Sequence, residues 1–441
     1  MQVRRWMAVC GLAVAGLTSE AVAQVPALTE KQLPNLLTTY QQLHRTPELS
    51  HYESKTSAWL ADQFRAAGYT VTDHIGKYAD GSPAYGVVGI LKNGPGPILL
   101  IRTDMDALPV EEKTGLPYAS TVKMKNAAGQ EVSVMHACGH DLHMTNMVGV
   151  ARVMAAEKSK WHGTLMLVGQ PSEEIGEGAT AMLSDNFYQR FPRPDFAIAL
   201  HDNAGLAAGK VGITSGPAMA GSTTVFVTMR GVGGHGAMPA STKDPIVMAS
   251  QFVLAIQTIV SRQTLPTNPA VVTVGMINGG TQANIIPDEV KLGLSVRFLD
   301  ENVRKSIIDD IQRTADGIAL VAGVPADRKP VIDVVQSRLT PVTYNNPDLT
   351  RRVRALLVTA LGQDNVVDLA PVMVSEDFGR FGLESHQIPT VLFWLGAVDP
   401  AKIASGAPLP SLHSSVFAPM AEPALRTGVL AMSDVALGLL Q

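Results

Sequence analysis

Cysteine is almost missing: Cys10 and Cys138 are the only two in 441 residues, far too few for the disulfide framework of a small secreted scaffold. Charge is scarce too. Charged residues make up 17% and the net charge is −4, which leaves no basic surface for nucleic acid or anionic lipid. Beyond the N-terminal segment no run reaches the roughly 18 uninterrupted apolar residues of a membrane span, and no repeat period or low-complexity tract suggests a solenoid. No strand-to-helix loop carries the lysine signature of a phosphate cradle; the glycine-rich stretch 231–236 lacks it. What remains is a chain with 46% hydrophobic residues, long enough for one or two domains and a large buried core.

The first 23 residues read as a targeting segment. Arg4 and Arg5 precede an apolar run from Trp6 to Leu17, and Ala21-Val22-Ala23 offers small residues ahead of Gln24, the pattern of a cleaved signal peptide. The expectation is an exported protein, periplasmic or secreted, with cleavage after Ala23. Cleavage removes Cys10, so Cys138 stays as a lone thiol and no internal disulfide is possible.

Leu36, Leu37, Tyr40 and Leu43 recur at helical spacing, and Ser50 is placed to cap a second helix that stops at Gly68. Strand-like apolar runs follow at residues 85–91, 98–101, 164–168, 196–200 and 390–395, with helical stretches between them, including 142–156. This alternation predicts an α/β catalytic domain, a largely parallel sheet between helices, built from residues 24–216 and 337–441. Residues 217–336 have their own order: strand 223–229, helix 245–261, strands 271–277 and 289–298, helix 301–322, strand 331–335. That β-α-β-β-α-β order is the ferredoxin-like unit, and it predicts a second domain inserted into the first.

Ligands of an α/β sheet gather beyond the carboxyl ends of its strands, and the unusual polar residues fall there. Strand 98–101 runs into Asp104 and Asp106, strand 164–168 into Glu173 and Glu174, and strand 196–200 into His201 and Asp202. A fourth cluster, His136-Ala137-Cys138-Gly139-His140-Asp141-Leu142-His143, stands at the start of a helix. Any one of these is unremarkable as a solvated acid or a satisfied core histidine. Together they are not, because carboxylates gathered at one rim repel one another unless cations neutralise them. Thiolate, imidazole and carboxylate in one place suit zinc, manganese, cobalt or nickel.

At these residues the chain resembles the aminoacylase and carboxypeptidase superfamily of two-metal hydrolases, in its hippurate hydrolase and auxin-conjugate amidohydrolase branch. The resemblance spans nearly all of the mature chain. It is carried by segments 102–109, 136–143, 170–174, 231–239, 277–287, 375–378 and Leu412-His413. It implies two divalent metal ions per subunit, with Cys138, His140, Glu174, His201 and His413 as ligands and Glu173 as general base. Asp106 matches the carboxylate that orients a ligand, and His235 matches the inserted-domain histidine that stabilises the oxyanion. Asn284 and Arg297 are candidates for the substrate carboxylate. The inserted domain is implied to be a lid that also forms a homodimer. Asp104 stands where the wider superfamily has a histidine ligand, and Asp202 where the branch has an apolar residue. The function expected is metal-dependent hydrolysis of N-acyl amino acids or short peptide-like amides. Two rivals remain open: a hydrolase using Cys138 as nucleophile, whose activity survives chelators, and a non-catalytic periplasmic binding protein, against which the adjacent Glu173-Glu174 pair argues, since binding needs no general base.

Overall fold

The protein is described by a computed structural model covering residues 24–383 and 387–441; the expected export segment lies outside the described residues. An eight-stranded sheet forms the larger body. Its spatial order is Thr70–Lys77, Pro83–Asn93, Gly163–Gln170, Ile98–Asp104, Phe196–Ala207, Thr390–Val398, Val211–Ile213, Val366–Asp368. The four central strands, from Gly163–Gln170 to Thr390–Val398, run parallel, whereas Pro83–Asn93 and Thr70–Lys77 join antiparallel at one edge.

Both faces of this sheet are buried, which is why its central strands read as unbroken apolar runs. Alternate residues serve separate cores. Leu99, Ile101, Leu165, Leu167, Ile198 and Phe393 pack against the helices Gln24–Arg45, His140–Ala156 and Ala421–Leu439, while Leu100, Met166, Val168, Ala199 and Leu392 pack on the opposite side with Met182, Phe187 and Phe378. In the first helix Leu36, Tyr40 and Leu43 are buried as their spacing predicts. The second helix begins later than expected, at Ser54 with Glu53 at the cap position and no side-chain cap. Ser50 does not cap it; its hydroxyl donates to Asp106 instead.

The inserted body is a four-stranded antiparallel sheet in the order Ala270–Asn278, Glu289–Phe298, Gly221–Arg230, Val331–Thr340. Helices Pro245–Ala255 and Glu301–Val321 cover one face with their own apolar core. The last strand continues past residue 336 to Thr340, because Ser222 pairs with Thr340 although Thr224 already pairs with Val335. Six positions on one strand, 335–340, thus face three on the other, 222–224, a bulge that lets the strand resume pairing. Among the described residues one helical stretch, Pro245–Gln263, is long and apolar enough by composition to cross a membrane. Its Met248, Ala249, Phe252, Ile256 and Ile259 are buried in the core of the inserted body.

Candidate metal centre

The carboxyl ends of three neighbouring parallel strands deliver Asp104, Glu173-Glu174 and His201 to one rim. The helix His140–Ala156 starts there as well. Gly139 sits at its cap with φ +77°, and a Cβ at that position would stand 2.7 Å from the Asp202 carboxylate; only glycine permits both the turn and the approach. His413, also left-handed at φ +66°, is held by its amide N–H on the Ala137 carbonyl.

Asp106 is the organiser. Its two carboxylate oxygens accept the amide N–H groups of Glu173 (3.1 Å) and Glu174 (3.0 Å) and the Ser50 hydroxyl (2.7 Å), and His140 Nδ1 lies 2.7 Å from its carbonyl oxygen. Donation to that carbonyl fixes the tautomer, so His140 Nε2 turns inward with a free lone pair. His140 Nε2 and Glu174 Oε1 are buried 3.7 Å apart, and neither has a hydrogen-bond partner among the described residues. Cys138 Sγ is 3.6 Å from His201 Nε2, and His413 Nε2 is 3.3 Å from Glu174 Oε2. Ligand-type atoms of Cys138, Glu174 and His413 lie within 4.8 Å of one another, as do those of His140, Glu173 and Glu174. All five implied ligands and the implied base therefore share one cluster.

The proton affinities of this cluster say what it lacks. Burial pushes the Cys138 thiol well above its usual range, and the Glu174 charge adds to the push. Burial likewise raises Glu173, helped by Glu376, Glu174 and Asp377, and raises Glu174 to about 8 although His140 opposes it. Protons are driven onto groups whose chemistry is to coordinate, and a divalent cation relieves that by supplying the opposite charge. With orphaned buried nitrogen and oxygen lone pairs, a thiol and a further imidazole, the residues fit such an ion.

Several participants escaped the sequence reading. Arg102, fully buried, donates to Asp104 (2.7 Å), to both oxygens of Glu376 (2.7 and 3.1 Å) and to Gln170 (3.0 Å), and Asp377 stands 3.3 Å away. His143 lies between Asp104 (2.7 Å) and Asp202 (3.1 Å). Burial lowers its pKa but the two carboxylates prevail and raise it to about 9. Asp104 is thus engaged by Arg102 and His143, although its oxygen also lies within 4.8 Å of ligand atoms of His140, His143 and His201. The motif segments contained all these residues; their mutual contacts were not visible, because Arg102 and Glu376 are 274 positions apart.

A cavity of about 470 Å³ opens over the cluster, with Cys138, Glu173, Glu174, His201 and His413 on one side and Ser222, Thr224, Arg297, Arg338 and Thr340 of the inserted sheet on the other. Arg297 thus reaches the cavity as expected. His235 and Asn284 do not line it in this chain: they lie together on an exposed two-stranded ribbon where His235 pairs with Ile285 and the Gly236 amide donates to the Asn284 carbonyl.

Known proteins resemble this chain over most of its length. "Thermostable carboxypeptidase 2" of Saccharolobus solfataricus is 34% identical over 399 residues, 90% of this chain and 93% of that one. The hippurate hydrolase of Campylobacter jejuni is 36% identical over 342 residues, 77% and 83% of the two chains. A Bacillus subtilis protein described as a dinuclear metal binding peptidase superposes with a TM-score of 0.74 at 24% identity, covering 93% of this chain and 99% of that one. Residues 100–427 match the model of peptidase family M20/M25/M40, so the chain is a hydrolase of amide or peptide bonds and belongs to that family.

Proposed function

We propose that the chain hydrolyses the amide bond of small N-acyl amino acids or short peptide-like amides, using two divalent cations held by Cys138, His140, Glu174, His201 and His413. The observation that carries this reading is the pair of buried coordinating atoms without a hydrogen bond among the described residues, His140 Nε2 and Glu174 Oε1, beside the Glu173 carboxyl. When bound, the cations would supply Lewis acidity that polarises the amide carbonyl and lowers the pKa of water. Glu173 takes a proton from the attacking water and returns it to the departing nitrogen. Asp106 holds the Glu173-Glu174 backbone, so one carboxyl faces the cations while its neighbour stays free for the proton. Hippurate, which appears in one relative's name, is itself an N-acyl amino acid.

A homodimer through the inserted body belongs to the same reading. Val271, Met276 and Ile277 of its edge strand and Val247 and Leu254 of its first helix are exposed, and an unpaired apolar edge invites a second copy. His235 and Asn284, on their exposed two-stranded ribbon, then reach the partner's cavity, His235 as oxyanion donor. The reading also includes export, tested by whether the mature chain begins at Gln24.

The deciding experiment is hydrolysis of a panel of N-acyl amino acids and dipeptides by enzyme stripped with chelator and then reloaded with zinc, manganese, cobalt or nickel. Turnover should vanish on stripping and return with metal. Turnover that survives chelation and dies on thiol alkylation would favour Cys138 as nucleophile; ligand binding with no turnover of any amide would favour a binding protein.

A further inference from the structure

The cavity has two guanidinium groups where one substrate carboxylate needs one. Arg297 and Arg338 both line it from the inserted sheet, and they reach it by different devices. Arg297 lies on the strand Glu289–Phe298 between the buried Val296 and Phe298, so strand alternation turns it to the cavity face. It pairs there with Ser222, whose other neighbour is Thr340. Arg338 lies within the bulge that separates the Thr340 and Val335 pairings, and a bulge re-aims a side chain that strict alternation would place otherwise.

Among the described residues no acid neutralises either arginine. Arg297 donates only to neutral oxygens, the Met373 carbonyl (3.2 Å) and the Ser375 hydroxyl (3.1 Å), and among the described residues neither forms an ion pair. The inserted sheet gives the cavity Ser222, Thr224, Arg297, Arg338 and Thr340 but no carboxylate. The acids on the opposite side are engaged elsewhere: Glu376 and Asp377 with Arg102, Glu173 and Glu174 in the candidate metal cluster. Two cations on one wall, on strands separated by the single strand Gly221–Arg230, with no carboxylate from the inserted sheet among the described lining residues, form a receptor for two negative charges.

We infer that the preferred substrate carries a second carboxylate besides the α-carboxylate of its amino acid, and that Arg338 is the residue that selects it. Arg297, held rigidly by the Met373–Ser375 loop, takes the α-carboxylate, and the exposed Arg338 takes the second. This rests on the amidohydrolase reading above and narrows its substrate class to dianionic N-acyl amino acids. The second carboxylate has two possible chemical sources, an acidic amino-acid side chain or a dicarboxylic acyl group, and matched pairs separate them: N-acetylglutamate against N-acetylglutamine, and N-succinyl-alanine against N-pentanoyl-alanine.

A charge-assisted hydrogen bond corresponds to a preference on the order of tenfold or more, so the charged member of at least one pair should lead by that factor in kcat/KM. In Arg338→Met the ratio within that pair should fall toward one, while Arg338→Lys should keep part of it. Binding is measured separately, by calorimetry on Glu173→Gln protein, so that the charged-to-neutral Kd ratio is read even if no panel member is turned over. Absence of hydrolysis with a Kd ratio of ten or more, lost in Arg338→Met, would sink the amidohydrolase reading and leave the inference standing. Flat ratios in both pairs would overturn the inference, with or without hydrolysis. So would an equal loss for charged and neutral members in Arg338→Met, which would give Arg338 the α-carboxylate instead.

Discussion

His44 stands between two carboxylates with no access to water, and replacing it tests whether that cation fastens the first helix to the metal cluster. Its Nδ1 is 2.6 Å from Asp141 and its Nε2 3.0 Å from Glu112, and all three side chains are at most 1% exposed. Burial lowers the imidazole pKa, but Asp141 and then Glu112 overcome it and raise it from 6.5 to about 10. A rise of that size corresponds to about 5 kcal/mol favouring the folded imidazolium. Because the folded pKa exceeds the unfolded one, this stabilisation is complete below pH 6.5 and is lost as the pH climbs through 10. Between pH 7 and pH 9 the wild type should lose on the order of 2–3 kcal/mol through this group, whereas His44→Gln has no such charge to lose. At pH 7 the variant leaves two buried carboxylates facing a neutral amide and should be about 3–5 kcal/mol less stable, a melting point lower by roughly 5–10 °C. Urea unfolding of both proteins at pH 7, 8 and 9, at fixed metal content, gives the answer. A difference below about 1 kcal/mol, or one that stays constant across that range, would refute the assignment of a buried imidazolium.

Glu173→Gln should keep its metals, measured by elemental analysis, but lose about 10²–10⁴-fold in turnover; near-normal rates with normal metal would remove Glu173 as the base. Cys138 should resist alkylation when metal is loaded and react once it is stripped, and equal rates in the two states would count against ligation. Chains carrying His235→Ala mixed with chains carrying Glu173→Gln, each inactive alone, should regain roughly a quarter of wild-type activity after subunit exchange, since half the dimers are mixed and one of their two sites is whole. Confirmed exchange with no recovery would place His235 outside the partner's site.

How much of this was legible in the sequence depended on how local its cause was. Strand 98–101 and its parallel neighbours showed as apolar runs because burial on both faces leaves nothing to alternate, and the inserted sheet showed through its own element order. The sites at strand ends followed from where such strands present their loops. Contacts across hundreds of residues left no local trace. Ser50, placed to cap a helix, serves Asp106 instead, since a serine ahead of a helix looks the same whether its hydroxyl turns to a backbone amide or to a distant carboxylate. Arg338 was passed over because a strand read as ending at 335 resumes after a bulge, and nothing in a short polar interruption distinguishes a bulge from a loop.

The position of the Thr390–Val398 strand has a consequence for how the molecule is made. It lies inside the large sheet, between Phe196–Ala207 and Val211–Ile213, and the helix Ala421–Leu439 that follows it packs on the first helix, Gln24–Arg45. A chain emerging from the ribosome can complete the inserted sheet from its own contiguous residues, but the catalytic sheet waits with a gap until nearly 400 residues are out. Its closure is a long-range event of the slow kind. Truncations that spare every proposed metal-binding side chain up to His201 yet remove this strand would leave two half-sheets with exposed edges, so loss of the chain from Thr390 onward should send it into aggregates rather than into a smaller, weaker enzyme.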